Sequence, residues 1–164
     1  MIENRLHVWR IPPVAAPMPV PETRKSGSVS RSVMFKFTAK EEAFLRSNEV
    51  CRLATASKEG KPQVTPVIYA LDGTGFVIAV DYGTKKLKNV KENPSVALVV
   101  DRLRPTKAVT VEGTCKVHER GAEYIRLLNV LMARFESYRK DPWGEGESPI
   151  FRITPDKAVS WGLG

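Results

Sequence analysis

The segment Asp81-Tyr82-Gly83-Thr84-Lys85-Lys86-Leu87-Lys88-Asn89 carries the clearest chemical signal in the chain. Gly83 lets the backbone come close to a ligand, and Thr84 is a good N-cap for a short helix over 85–92 that Asn93-Pro94 would stop. A helix N-terminus presents unpaired amides and the positive end of the helix dipole, which suits a phosphate. Lysine in a first turn is disfavoured by that dipole unless an anion offsets it. The lysines therefore point to a phosphate-bearing ligand; a capped surface helix with a solvated lysine face is the plainer alternative.

A second feature is Pro66, in the middle of the strand-like run 63–69. Proline cannot donate to a β-ladder, so this strand must have an open edge or a bulge. Backbone groups around Thr65 and Val67 are then free to meet a flat ligand or a partner chain, if the strand is more than an ordinary edge. The usual catalytic groups are sparse. His7 and His118 have no second ligand at metal spacing, and Cys51 and Cys115 lie too far apart to form a metal motif. There is no nucleophile elbow and no paired carboxylates, so no metal site and no catalytic residue is assigned. An enzyme with this inventory needs a cofactor for the hard chemistry.

These residues must be positioned by a mainly β framework. Thr38-Ala39-Lys40-Glu41 is a capping box opening a helix through about residue 48. Strands are predicted over 50–56, 63–69, 76–80, 95–101 and 108–118, with a turn over 71–75. A last strand is expected in two pieces, 150–153 and 157–161, interrupted at Pro155. One long amphipathic helix is predicted over 121–140 from the apolar stripe of Tyr124, Ile125, Leu128, Leu131, Met132, Phe135 and Tyr138. Hairpin-length links cannot make parallel crossovers. Six strands with one long helix as minority partner thus argue for a closed or nearly closed antiparallel barrel.

Two parts are expected: a proline-rich basic N-terminal arm over 1–32, holding five of the twelve prolines, and one domain over 33–164. The longest clean apolar run, Val96-Ala97-Leu98-Val99-Val100, is far shorter than the ~20 residues a membrane helix needs. The prolines in the opening residues make a poor secretion signal, so the cytoplasm is the expected compartment and both cysteines are expected reduced, as small apolar fillers. The net charge of +8 favours anionic partners.

Leu53-Ala54-Thr55, the run Gly60-Lys61-Pro62-Gln63-Val64-Thr65-Pro66-Val67, then Gly83-Thr84-Lys85-Lys86, Asn93-Pro94-Ser95-Val96-Ala97-Leu98 and Val109-Thr110-Val111-Glu112-Gly113 occur in an order that resembles the pyridoxamine 5′-phosphate oxidase-like family. The resemblance implies a six-stranded antiparallel split β-barrel of the FMN-binding type, forming a homodimer with flavin at the subunit interface. It implies that Thr84, Lys85 and Lys86 hold the flavin phosphate, that main-chain groups of Val64, Thr65, Pro66 and Val67 line the ring, and that Ala79 and Val80 flank the ribityl chain. Lys107 and Ala108 would reach the ring from the neighbouring subunit. The oxidase's Arg-Pro-x-x-Ser-Gln segment and C-terminal Arg-Leu-x-Pro have no counterpart here, so the chain is more similar to the family's smaller reductase-like members.

The expected function is an FMN-dependent oxidoreductase passing hydride or electrons to or from an unidentified small organic substrate, with a nicotinamide or other small reductant. One alternative is a deazaflavin-dependent reductase on the same fold, its longer anionic tail suited to Lys88, Lys91 and Arg102. Another is a non-catalytic basic barrel binding nucleic acid, for which Tyr69 and Phe76 are the only candidate stacking residues on the central strands. A flavin-binding protein without turnover is a third.

Overall fold

The computed structural model describes residues 35–164; the predicted N-terminal arm over 1–32, with His7, lies outside the described residues. The elements are α1 (Ala39–Arg46), β1 (Val50–Ala56), β2 (Pro62–Ile68), β3 (Ala70–Asp72), β4 (Gly75–Ala79), α2 (Lys85–Glu92), β5 (Ser95–Arg102), β6 (Lys107–His118), α3 (Ala122–Arg134), α4 (Glu136–Lys140) and β7 (Ile150–Trp161). The strands form one antiparallel sheet in the order β2-β1-β5-β6-β7-β4-β3.

The two ends of that order are consecutive in the chain. Only Tyr69 separates β2 from β3, so one length of chain pairs with β1, turns, and pairs with β4. This curls the sheet into the split barrel and makes seven segments out of six strands. Tyr69 holds the turning point: it is fully buried, its amide donates to the Glu49 carbonyl at 3.0 Å and its hydroxyl to the Leu45 carbonyl at 2.6 Å. The turn predicted over 71–75 starts later than expected, because Ala70–Asp72 pairs with β4.

Alternation along the strands gives the barrel its inside. In β5, Val96, Leu98 and Val100 are buried while Ala97 and Val99 face outward. The interior joins these to Cys51, Leu53, Phe76, Ile78, Val109, Val111, Phe151 and Ile153. A second cluster sits outside β4, where Tyr124, Leu127, Leu128 and Leu131 of α3 pack on Ala70, Val77 and Ile150. Covered on both faces, β4 reads as an unbroken apolar run, Gly75-Phe76-Val77-Ile78-Ala79.

The capping box forms as predicted: the Thr38 hydroxyl accepts from the Glu41 amide at 3.3 Å and the Thr38 amide donates to Glu41 Oε2 at 2.9 Å. Two predicted elements differ. The long helix breaks at Phe135, whose backbone is extended; its ring is buried 5.9 Å from that of Tyr138, and Arg139 Nη1 donates to the Met132 carbonyl at 2.8 Å near the end of α3. Packing of one aromatic outweighs a continuous helical pattern there. The last strand is continuous through Pro155, because a bulge absorbs the proline: Glu112 pairs with Lys157 and Gly113 with Pro155, leaving Asp156 over. A Cβ on Gly113 would lie 2.4 Å from the Thr154 carbonyl oxygen, so the bulge requires glycine.

Candidate cofactor site beside helix α2

Helix α2 is seated by Leu87, Asn89 and Val90, which are buried. Asn89 Nδ2 donates to Thr55 Oγ1 at 3.0 Å, and both groups are buried, which fixes the helix against the end of β1. Gly83, at φ 76°, turns the chain into the helix. Thr84 is the N-cap with extended backbone, yet its hydroxyl donates to the Asp81 carbonyl at 2.9 Å and no side chain caps the helix amides. Thr84 therefore starts the helix where the sequence places an N-cap, but its hydroxyl turns back into the preceding loop and leaves the amides free.

Charge sets α2 apart. The first turns of α1, α3 and α4 carry Glu41 and Glu42, Glu123, and Glu136, whereas that of α2 has no acid and carries Lys85, Lys86 and Lys88. One cleft of about 370 Å³ lies between α2 and the β1–β2 turn, lined by Ser57, Glu59, Lys61, Lys85, Lys88, Asn89 and Glu92. A second, of about 490 Å³, lies on the other flank and includes Tyr82, Thr84, Lys88 and Lys91. Lys61 and Ser57 went unrecognised in the sequence, where their turn reads only as a hairpin link. The Ser57 hydroxyl donates to Glu59 Oε2 at 2.8 Å, and this bond holds the Glu59 carboxyl below its usual range. The cleft therefore sets two carboxylates, Glu59 and Glu92, against three lysines and keeps a surplus of one positive charge.

The same turn leads directly into β2, which stands at the end of the strand order as the proline suggested. Val64 is 63% exposed on the outer face, while Val67 packs against the barrel interior. On that outer face a shallow hollow of about 420 Å³ is framed by Arg52, Val64, Val99 and Glu112. It exists because Ala54 and Ala97 stand directly opposite one another.

The fold brings Lys85 to the turn that leads into the strand carrying Val64, Thr65, Pro66 and Val67, while Thr84 lines the cleft on the other flank and Lys86 lines neither. Lys86 is half-buried, on the helix face that also carries Asn89 and Val90. The other expected contacts are placed elsewhere. Ala79 packs against the α3–α4 cluster; the Val80 side chain is inside the barrel, its amide donates to the Pro149 carbonyl at 2.9 Å and its carbonyl accepts from Ser148 Oγ at 2.7 Å. Lys107 pairs with Arg102 and Ala108 with Asp101 and Trp161, at the end of β5 remote from α2, roughly 23 Å away along an extended strand. Within one chain they do not join the lysine cluster. Nor does Arg102, which faces Asn48 at 3.4 Å, while Lys91 is paired with Glu119 at 3.0 Å; the set Lys88, Lys91 and Arg102 is not assembled. Tyr69 and Phe76 are fully buried, which removes the stacking platform that nucleic-acid binding would use.

Among the described residues, no histidine or cysteine lines either cleft. Burial, reinforced by Lys116, holds His118 below its ordinary value, and burial pushes the free thiols of Cys51 and Cys115 up to about 12. What the arrangement can do is bind an anion and orient a flat group beside an exposed strand edge.

Comparison with known proteins identifies the family and the fold. The sequence model of the family described as pyridoxamine 5′-phosphate oxidase matches residues 37–162. A 5a,11a-dehydrotetracycline/5a,11a-dehydrooxytetracycline reductase of Streptomyces rimosus is 31% identical over 136 residues, 77% of this chain and 84% of that protein. Curated pyridoxine/pyridoxamine 5′-phosphate oxidases match over shorter stretches, and the aligned stretches span only 29–37% of their length. Among solved structures, an FAD-binding protein of Mesorhizobium loti superposes with a TM-score of 0.61 at 26% identity, covering 76% of this chain and 92% of that one. A heme storage protein of Vibrio cholerae shares the fold, with a TM-score of 0.64 at 18% identity, covering 73% of this chain and 91% of that one.

Proposed function

The chain belongs to the pyridoxamine 5′-phosphate oxidase family, and we propose that it is a flavin-dependent oxidoreductase that holds FMN between α2 and the open edge of β2, at an interface between two copies of the chain. The observation that carries this reading is the uncapped, acid-free first turn of α2 with Lys85 and Lys88 facing the β1–β2 turn. That donor set fits a flavin phosphate: free amides, the helix dipole and Lys85, Lys86 and Lys61 all favour a dianion. Main-chain groups of Val64, Thr65, Pro66 and Val67 would meet the ring along the open edge. Bound there, the flavin supplies hydride and electron transfer between a small reductant, such as a nicotinamide, and an organic acceptor. The protein binds, orients and shields; no residue is assigned as acid or base.

A reducing role is supported by the relative from Streptomyces rimosus, itself named a reductase, and by the small share of the oxidases that this chain spans. The two-copy arrangement is supported by the outer face of the sheet, where Val50, Val64, Val159 and Trp161 are 46%, 63%, 51% and 48% exposed. It also gives Lys107 and Ala108 a route to a site they cannot reach within one chain. A deazaflavin coenzyme is the second reading, favoured by the cleft at Tyr82, Lys88 and Lys91 that continues from the lysine cluster. Among the described residues no helix is long and apolar enough to cross a membrane.

The test is the absorption spectrum of the purified protein, then titration with FMN. Flavin bands that return after stripping, with affinity falling at least about tenfold in Lys86→Ala or Lys85→Ala, are expected. A Soret band in place of flavin bands, or binding that ignores both lysines, would overturn the reading. Tighter binding of a deazaflavin coenzyme than of FMN would select the second one.

A further inference from the structure

We infer that Gln63 is a cofactor-binding residue whose side-chain oxygen accepts a hydrogen bond from a hydroxyl of the polyol chain joining the flavin ring to its phosphate. The inference rests on the flavin reading above.

Gln63 Oε1 is buried and has no hydrogen-bond partner among the described residues. Only one other buried side-chain atom there shares that state, Arg134 Nε, and its guanidinium is otherwise satisfied, with Nη2 donating to the Arg46 and Asn48 carbonyls. A buried acceptor without a donor is costly, and proteins tolerate one mainly where something else completes it. The position says what completes this one. Gln63 follows Lys61, which lines the cleft at α2, and precedes Val64, where the exposed strand edge begins. It stands in register opposite Thr55, whose hydroxyl accepts from Asn89 of α2. Strand alternation puts it on the face of Thr65 and Val67, away from the outer hollow. Gln63 therefore lies between the group that would hold a phosphate and the edge that would meet a ring. A flavin has its polyol at that point. A phosphate and the ring carbonyls offer no proton to an amide oxygen; the polyol hydroxyls and the ring N3–H do, and the place of Gln63 two residues from Lys61, at the phosphate end of the strand, selects the hydroxyls.

The proposal predicts opposite signs for two properties of Gln63→Met, which keeps side-chain length and removes both polar ends. The flavin-free protein should melt at or above the wild-type temperature, because the orphaned acceptor is gone. Affinity for FMN should fall about five- to tenfold, and affinity for riboflavin by the same factor, since the lost partner is not the phosphate. Lumiflavin, which has the ring and no polyol, should bind both proteins equally. Lys85→Ala serves as the contrast, weakening FMN and leaving riboflavin unchanged. FMN affinity unchanged in Gln63→Met, a lower melting temperature of its flavin-free form, or an equal loss for lumiflavin would each overturn the assignment. Failure of the wild-type protein to bind any of the three would instead overturn the flavin reading itself, and this inference with it.

Discussion

Asp72 shows how a single carboxylate ties the α3 side of the molecule to the sheet. Its side chain accepts from Arg126 Nη2 at 2.7 Å and Arg152 Nε at 3.3 Å, and its carbonyl accepts from Arg152 Nη2 at 3.0 Å. The Arg126 hydrogen bond, aided by both arginine charges and only partly opposed by burial, holds the Asp72 carboxyl below its ordinary value. A depressed carboxylate contributes stability above its unfolded pKa and loses it as pH falls through the folded one. Asp72→Asn should therefore cost about 1–2 kcal/mol at pH 7, with the gap to wild type closing below about pH 4; urea denaturation at the two pH values measures this. Gly75 faces the same network: a Cβ there would fall 1.1 Å from Arg152 Nη1, so Gly75→Ala must displace the guanidinium and should lose the smaller, Arg152 share of this stability while the Arg126 bond remains. The buried thiols make a simpler prediction. With Cys51 and Cys115 pushed up to about 12, a thiol reagent should label neither until the protein unfolds.

At the scale of elements, the seating of α2 matters most. Thr55→Val removes the acceptor of a buried amide and leaves Asn89 unpaired, which should cost about 1–3 kcal/mol. Because that bond also sets where the α2 lysines stand, FMN affinity should fall together with stability, although Thr55 touches no phosphate in the proposed site. Thermal melts beside flavin titrations would show whether the two losses occur together. The β6–β7 bulge is a second point of element-scale control. Gly113→Ala meets backbone, which cannot swing away, and should cost about 1–3 kcal/mol by overpacking.

At the scale of the whole molecule, the outer face of the sheet and the two ends of β5 belong to one question. The face exposes Val50, Val64, Val159 and Trp161, and the candidate site within one chain lacks Lys107 and Ala108. If two copies share the site, Val159→Asp should both dissociate the dimer and weaken FMN, even though β7 carries no proposed flavin contact. Sedimentation at several concentrations, with and without FMN, checks this; a monomer that binds FMN at wild-type affinity would separate the site from the interface.

The local features of this fold are written in short stretches of sequence. The capping box at Thr38, the helix start at Thr84, the strands with alternating apolar residues and the lysine-rich first turn of α2 depend on neighbours a few residues away, so the chain alone determined them. Proline at position 66 likewise called for an open edge or a bulge, and the fold supplies the edge. Tertiary structure decided the rest. The barrel closes because one strand changes partners at Tyr69, and Pro155 stays within a strand because Gly113 lies across from it. Phe135 leaves the helical pattern to fill a gap beside Tyr138, and the lone polar end of Gln63 is buried by what lies beside it. Each of these depends on contacts between residues distant in the chain, whose free energy exceeds local preference by an amount that no short window of sequence contains.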